Sequence, residues 1–341
     1  MGALPHTWHV EALQMAHAPT LSEVAAAAGV SPATASRTLS GSVRVATSTR
    51  RRVTEAVTKL GYIRRRAAYS PPTPRSTLLV AAAVCEPFPR AICDPFHIRL
   101  LSTVEELLTE RGVSLVIVPS PDTNTVRRLL TGMFGGVLVI GAGDDHPVAV
   151  ALASSGVPVR CTGRPPDGIR LPYVDVDNGD GGRQVAEHLI VGGRRRFGVI
   201  AGPRTFPAAQ DRLAGFRTTL EPFGVANVPI ARGDFSFASG VHGMRWLLER
   251  APKLDAVFAA ADAMAAGAIR TLRLSGRRVP DDVAIVGFDD APFARRTRPP
   301  LTTVRQPVEE LAVRAATLLL EDMGGGAEPA GNDTLPTELV V

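Results

Sequence analysis

Thr20-Leu21-Ser22-Glu23-Val24-Ala25-Ala26-Ala27-Ala28-Gly29-Val30-Ser31-Pro32-Ala33-Thr34-Ala35-Ser36-Arg37-Thr38-Leu39 decides how this chain of 341 residues begins. Thr20 stands three residues before Glu23. That is the spacing of a capping box, in which a hydroxyl accepts from an amide inside the helix and the carboxylate reaches back to the cap amide. Leu21, Val24, Ala25 and Ala28 then recur at helical intervals, so a short helix is predicted here. Gly29-Val30 stops it, because glycine accepts the positive φ of a tight turn, and Ser31-Pro32 restarts the helix with serine as cap and proline at the first position. Two helices joined by so short a turn, with small Ala25 and Gly29 at the crossing and apolar Val30 and Ala35 beyond, form a helix-turn-helix pattern. A third helix is expected from about Thr47 to Leu60, closing a three-helix core through Val53, Val57 and Leu60.

The charge around this stretch is uneven. From Thr20 to Tyr69 there are nine basic residues against two acids, a net of +7, so with +5 for the whole chain the remainder sums to −2. A small basic head on a near-neutral body suits a nucleic-acid-binding module joined to something else. Arginine-rich coding accounts for arginine in place of lysine, Lys59 and Lys253 being the only lysines, but not for the concentration in one segment. The second helix exposes Thr34, Ser36 and Arg37 beside Ala33. Hydroxyls at a helix N-terminus suit phosphates, and arginine pairs two-pronged with guanine. The competing reading is a solvated helical hairpin in an unrelated enzyme.

Further along, short apolar runs alternate with helical stretches. Strands are expected at Thr77 to Val84, Val113 to Val118, Gly136 to Ile140, Val157 to Thr162, Phe197 to Ala201, Asp255 to Ala259 and Val283 to Phe288. Helices are expected near His97 to Arg111, Thr125 to Gly132, Val148 to Ser155, Gly181 to Ile190, Arg212 to Leu220, Ser239 to Glu249 and Asp262 to Leu274. The fold class that follows is a small all-α helix-turn-helix headpiece joined to an α/β body of two doubly wound parallel-sheet lobes. Ligands of such lobes sit beyond the carboxyl ends of the strands, in the cleft where the lobes face each other.

Thr20 to Ala25, Ala28 to Gly41, Val45 to Arg50 and Leu60-Gly61-Tyr62 resemble the headpiece of the lactose-repressor (LacI) family. The resemblance implies that Pro32, Ala33 and Arg37 face base edges and that Thr34, Ser36, Ser40, Thr49 and Tyr62 approach phosphates. Ser31, Arg44 and Arg65 complete the candidate DNA-binding set. Members of the family usually follow the headpiece with a hinge helix whose leucine wedges into the minor groove. Here Arg64-Arg65-Arg66 leads into Ala67-Ala68-Tyr69-Ser70-Pro71-Pro72-Thr73-Pro74, with Pro71 where that leucine would fall. Proline shortens or abolishes such a helix. Tyr69 is a substitute wedge, or the segment is a plain extended linker.

The resemblance continues through the body and implies that it is periplasmic-binding-protein-like. Asp94-Pro95-Phe96 is similar to the family's Asn-Pro-Phe segment. Asp211 to Phe216 resembles its Arg-x-x-Gly-Phe motif, which implies that Arg212 hydrogen-bonds an effector. Phe235 falls at the aromatic position that stacks on a sugar face, and Asp289 is the matching carboxylate for hydroxyl groups. Ala261 stands where an amide or hydroxyl is common, and Gly163 where some sugar-responsive members carry an acid, so the pocket is expected to offer fewer hydroxyl partners and a standard disaccharide effector is not expected. The candidate effector contacts are Cys85, Asp94, Phe96, Arg164, Arg212, Phe235, Ala261 and Asp289. For Arg212 and Asp289 the alternative is a structural ion pair across the lobes.

Other classes fare worse. There is no Gly-x-Ser-x-Gly elbow, no His-Glu-x-x-His pair and no Gly-x-x-x-x-Gly-Lys loop, and the seven histidines are dispersed. Gly141-Ala142-Gly143 lacks the third glycine of a dinucleotide loop. Cys85, Cys93 and Cys161 are too scattered for a disulfide framework or zinc site. No apolar run is long enough to span a bilayer, and no secretory signal opens the chain. A sugar-binding transport protein shares the two-lobed body but would need an export signal and has no use for a basic headpiece.

The expected organisation is therefore a disordered extension over 1–19 (or a true start at Met15), a DNA-binding domain over 20–62, a linker over 63–76 and a two-lobed body over 77–341. Lobe 1 takes about 77–175 and 307–330, and lobe 2 about 176–306 plus the C-terminal strand. The expected protein is a cytoplasmic, non-enzymatic regulator, most simply a repressor, without cofactor or metal. Its expected partners are a pseudo-palindromic double-stranded DNA operator and a sugar-like effector. It should act as a homodimer, because one recognition helix reads too few base pairs for specificity. The absence of C-terminal leucine heptads favours a dimer over a tetramer.

Overall fold

A computed structural model describes residues 20–39, 46–60, 79–144, 146–325 and 331–341 and divides the chain into two units on either side of Ser70. Ser40, Arg44, Tyr62, Arg65 and the expected hinge lie outside the described residues.

Among its described residues the first unit holds three helices, α1 (Leu21–Ala28), α2 (Pro32–Leu39) and α3 (Thr47–Leu60). Both halves of the capping box are formed: the Thr20 amide donates to Glu23 Oε2 at 2.6 Å, and the Glu23 amide donates to Thr20 Oγ1 at 3.3 Å. Gly29 ends α1 in the left-handed region, with φ +63°, and the Thr34 amide donates to Ser31 Oγ at the start of α2. Val24, Ala28, Val53 and Ala56 are buried together, with Val30, Val57 and Leu60 packed against them. A core this small needs every one of its apolar groups, each valine contributing about 1.5–3 kcal/mol.

The second unit runs β1 (Leu79–Val84), α4 (Phe88–Cys93), α5 (Pro95–Glu110), β2 (Ser114–Pro119), α6 (Thr123–Leu129), β3 (Gly136–Ile140), α7 (Pro147–Ala153), β4 (Val159–Thr162) and β5 (Tyr173–Val176). It continues with α8 (Asn178–Val191), β6 (Phe197–Ala201), α9 (Pro207–Leu220), β7 (Ile230–Arg232), α10 (Phe237–Arg250), β8 (Ala256–Ala259), α11 (Asp262–Leu274), β9 (Ala284–Asp289) and β10 (Thr302–Arg305). It ends with α12 (Val308–Met323), β11 (Asp333–Leu335) and β12 (Glu338–Val340). Two sheets result, ordered β11-β5-β4-β3-β1-β2 and β12-β10-β9-β8-β6-β7, with every pairing parallel except β10 with β12. Along β1, Val80, Ala82 and Val84 enter one core and Ala81 and Ala83 another, so the first sheet is covered on both faces. Continuous apolar strands are the signature of that arrangement.

The chain passes between the lobes at 176–178, 305–308 and 335–338. The tail therefore supplies a strand to each sheet, β11 to the first and β12 to the second, whereas the sequence suggests only a strand for the second lobe. Several helices begin earlier than their periodicity indicates, because polar caps and prolines set the start. Asp94 caps α5, Asp122 caps α6 and Asp177 caps α8. Pro207 opens α9, which places Arg212 in the second turn of that helix rather than at its start.

Candidate DNA-reading helix and effector cleft

On α2, Ser31, Pro32, Ala33 and Arg37 are exposed, Thr34 and Ser36 are half-buried, and Ala35 points into the core. Residues 33 and 37 are one helical turn apart and share the outer face. Ser31 Oγ lies 2.9 Å from Thr34 Oγ1, so the two hydroxyls sit together at the helix N-terminus, where backbone amides point outward. Thr49 is half-buried at the start of α3. Helix α2 thus presents one guanidinium flanked by apolar contacts and hydroxyls, and α3 exposes Arg50, Arg51 and Arg52.

In the second unit the strands of both lobes end at a common cleft. It is lined by Glu86, Asp94, Phe96, Gly141 and Arg164 from the first lobe, and by Phe206, Arg212, Phe235, Ala261 and Asp289 from the second. Seven of the eight candidate effector residues are among its walls. The exception is Cys85, which is buried with its thiol directed at the Ala83 carbonyl. It follows β1 directly, but the wall there is formed by the next residue, Glu86. Burial raises both thiols, with Cys161 pushed up to about 12, so each stays neutral.

Arg212 is almost wholly buried. Its Nε donates to Asn178 Oδ1 at 2.8 Å, its Nη1 donates to the Ala260 carbonyl at 2.8 Å, and Cζ lies 3.7 Å from the centre of the Phe288 ring. Nη1 is also 3.6 Å from Asp289 Oδ1. Both residues belong to the second lobe, so the ion pair lies within that lobe and not across the two. Burial raises the Asp289 carboxyl to about 7, against the opposing pull of Arg212. Burial likewise lifts Asp262, a fully buried carboxyl that accepts from Thr303 Oγ1 at 2.6 Å and from the Ala291 amide at 2.7 Å. Gln306 Nε2 donates to Asp289 Oδ1 at 2.6 Å.

An aromatic corner faces this polar group. Phe235, held at φ +67°, meets Phe206 edge to face with ring centroids 5.8 Å apart. Gly202 lies directly under the Phe235 ring, where a Cβ would overlap it. Asp94 uses one oxygen to accept from the Phe96 amide at 2.9 Å. The cleft is closed by contacts between lobes. Arg164 Nη2 lies 3.1 Å from Asp211 Oδ1, Arg90 lies 3.7 Å from Asp234, and the Asp144 amide donates to the Thr205 carbonyl at 2.9 Å. Four arginines (90, 99, 164, 212) and four carboxyl groups (86, 94, 175, 289) line the walls, with Glu86, Asp175 and Asp289 raised chiefly by burial. Such a lining suits a neutral molecule with hydroxyl groups and flat apolar faces. Glu86, His97, Asp175, Phe206 and Gln306 line the cleft without having been singled out from the sequence. Glu86 and Phe206 lie just past strand ends, and Asp175 is a charge inside an apolar strand, so signals for these three were present.

Among the described residues no cluster of histidine, cysteine and acidic groups is arranged to hold a metal, and no helix is long and apolar enough to cross a membrane. The family model described as bacterial regulatory proteins, lacI family, matches residues 20–65, and the periplasmic binding protein-like domain matches residues 186–341. The chain is 41% identical to the HTH-type transcriptional regulator CelR of Thermobifida fusca, over 95% of this chain and 97% of that one. It is 31% identical to the repressor CytR of Escherichia coli K12, over 95% of each. A solved complex of CelR with cellobiose superposes with a TM-score of 0.74 at 39% identity, covering 95% of this chain and 98% of that chain. The lac repressor dimer bound to operator and the anti-inducer ONPF gives 0.70 at 29% identity, with the same coverage. The capped headpiece, the two parallel-sheet lobes and this similarity along nearly the whole chain together establish that the chain belongs to the LacI family of DNA-binding transcriptional regulators.

Proposed function

We propose that this regulator is a non-enzymatic, cytoplasmic repressor that binds a pseudo-palindromic operator as a homodimer and whose operator affinity is set by a neutral glucoside in the interlobe cleft, cellobiose being the first compound to test. The observation that carries the effector reading is the convergence of Arg212, Asp289 and Phe235 on one cleft. Guanidinium and carboxylate hydrogen-bond hydroxyls from both sides, and a phenyl face packs against the C–H face of a pyranose. The likeness to a regulator solved with cellobiose supports the same class. On DNA, Arg37 pairs with guanine, Pro32 and Ala33 contact thymine methyls, and Ser31, Thr34, Ser36 and Thr49 approach phosphates. Ser40, Arg44, Tyr62 and Arg65 join the phosphate contacts on the strength of the family resemblance. The effector can shift operator affinity only by its differential affinity for the two lobe arrangements, typically about 1 to 3 kcal/mol.

The test is to incubate the purified full chain with fragmented genomic DNA, sequence what it retains, and repeat with cellobiose and a panel of other sugars. Recovery of one symmetric motif whose retention changes with cellobiose is the expected outcome. Indifference to DNA together with tight sugar binding would favour a transport-type binding protein.

A further inference from the structure

We propose that Asn178 is a positioning residue that ties the effector-facing guanidinium of Arg212 to the first lobe, so that the state of the cleft and the relative position of the lobes change together. The inference deepens the effector reading above and rests on it for the role of Arg212.

Asn178 opens α8 immediately after the chain first passes between the lobes. Both ends of its side chain are used. Oδ1 accepts from Arg212 Nε at 2.8 Å, while Nδ2 donates to Asp175 Oδ1 and to the Val176 carbonyl, each at 3.1 Å. Asp175 lies on β5, in the first lobe's sheet, and its carboxylate also accepts from the Arg164 amide at 2.8 Å and the Val176 amide at 2.7 Å. Asn178, Asp175 and Arg212 are all more than nine-tenths buried, so these contacts are screened little by solvent. The polarity is fixed: toward Arg212 the position must accept, and toward Asp175 it must donate. Among side chains of this size an amide meets both needs.

The same chain of contacts reaches the second passage between lobes. Arg212 faces Asp289, and Asp289 accepts from Gln306, which lies between β10 and α12. At the third passage Gln184 Nε2 donates to the Thr337 carbonyl at 3.0 Å. The backbones of α8 and α9 touch, so the two helices move as one body, and the Nε–Asn178 hydrogen bond joins the guanidinium to the start of α8. A Cβ at Gly182 would strike the Arg212 carbonyl, and one at Gly215 the Gly179 carbonyl. A shift of the guanidinium toward a ligand pulls on Asn178 through that bond, and through Asn178 on Asp175 and Val176 at the interlobe passage. Arg212 Nη2 makes no hydrogen bond to the described residues and is free to meet that ligand.

The experiment uses the full chain with spin labels on exposed positions of the two lobes, Val150→Cys and Val191→Cys, in a Cys93→Ser background. The other two cysteines are buried. Pulsed electron-electron distance measurements are made without ligand and with cellobiose. In the labelled background a narrow distance distribution that moves on adding cellobiose is expected. Asn178→Asp removes the donor and sets a second carboxylate beside Asp175. It should at least double the width of the ligand-free distribution and at least halve the cellobiose-induced displacement, with cooperative thermal unfolding retained. Asn178→Ala, which deletes both contacts, should do the same and serves if the aspartate variant does not fold. A ligand-free distribution in the folded variant identical to the background would overturn the proposal. A background that ignores cellobiose would instead overturn the cellobiose reading, and the ligand-free widths alone then decide the role of Asn178.

Discussion

Arg164 and Asp211 meet across the cleft, Nη2 to Oδ1 at 3.1 Å, with Asp167 on the other side of the same guanidinium at 2.7 Å. Arg164 follows the end of β4 and Asp211 lies on α9, so one ion pair joins the two lobes at the mouth of the site. Both side chains are about one-third exposed, which limits the pair to less than about 1 kcal/mol of stability. Its effect should appear in lobe closure instead. Arg164→Ala is expected to lower the melting temperature by less than about 4 °C while weakening cellobiose binding several-fold. Calorimetry showing unchanged affinity would remove the pair from the closing mechanism.

Arg37 is exposed on α2 between apolar Ala33 and half-buried hydroxyls, so under the proposed function base discrimination by this helix should fall chiefly on one side chain. Arg37→Ala should reduce preference for operator over random duplex by about 5- to 150-fold per half-site, the range for a two-pronged guanine contact of about 1 to 3 kcal/mol. Affinity for random DNA should change little. Arg65→Ala, by contrast, should weaken all duplexes alike and reduce the salt slope. Anisotropy titrations of both variants against both DNAs check this, and equal losses for Arg37→Ala would refute the division of labour.

Much of this architecture could be read from the chain because its signals are local. Thr20 and Glu23 specify their own cap, and β3, β6 and α11 occur at the expected bounds since apolar period and flanking turns agree there. The three-residue strands β7 and β11 escaped because so short a segment carries no period; each is a strand only by pairing with a distant partner. The site divides in the same way. Asp289 and Arg212 stand in motifs that can be quoted, whereas the link from Asp175 through Asn178 to Arg212 depends on how three elements pack. Cys85 illustrates the opposite error, since counting residues past a strand end does not say which of two neighbours faces the cleft.

Gly202 ends the run after β6 beneath the Phe235 ring, where an added methyl would overlap the ring and come within 2.9 Å of Ala209 Cβ. Phe235 already occupies a strained backbone conformation, so it yields more readily than the helix behind it. Gly202→Ala should therefore tilt the stacking face and weaken cellobiose binding by about tenfold or more, while the fold, read by circular dichroism, is retained. Phe235→Ala should produce a similar loss, and the double variant should lose little beyond either single one, because both act on the same ring. Additive losses would show that Gly202 acts elsewhere.

Asp289 gives the site a pH dependence whose sign can be worked out. Burial raises its pKa to about 7, so around neutrality the carboxyl is only partly ionised. For stability, an acid raised in the folded state has no effect below its unfolded value of about 3.9. Folding is then disfavoured increasingly as pH rises, until the effect is complete above about 7. Binding runs the other way. Only the ionised carboxylate accepts hydroxyl hydrogens with both oxygens while also holding Gln306 and facing Arg212. Cellobiose affinity should therefore rise by about tenfold between pH 6 and pH 8, the change in ionised fraction for a group titrating near 7. Asp289→Asn should bind weakly at both pH values and flatten the profile. A wild-type affinity independent of pH across this interval would mean that Asp289 does not accept from the effector, and the polar end of the site would then have to be assigned to Arg212 and Asp94.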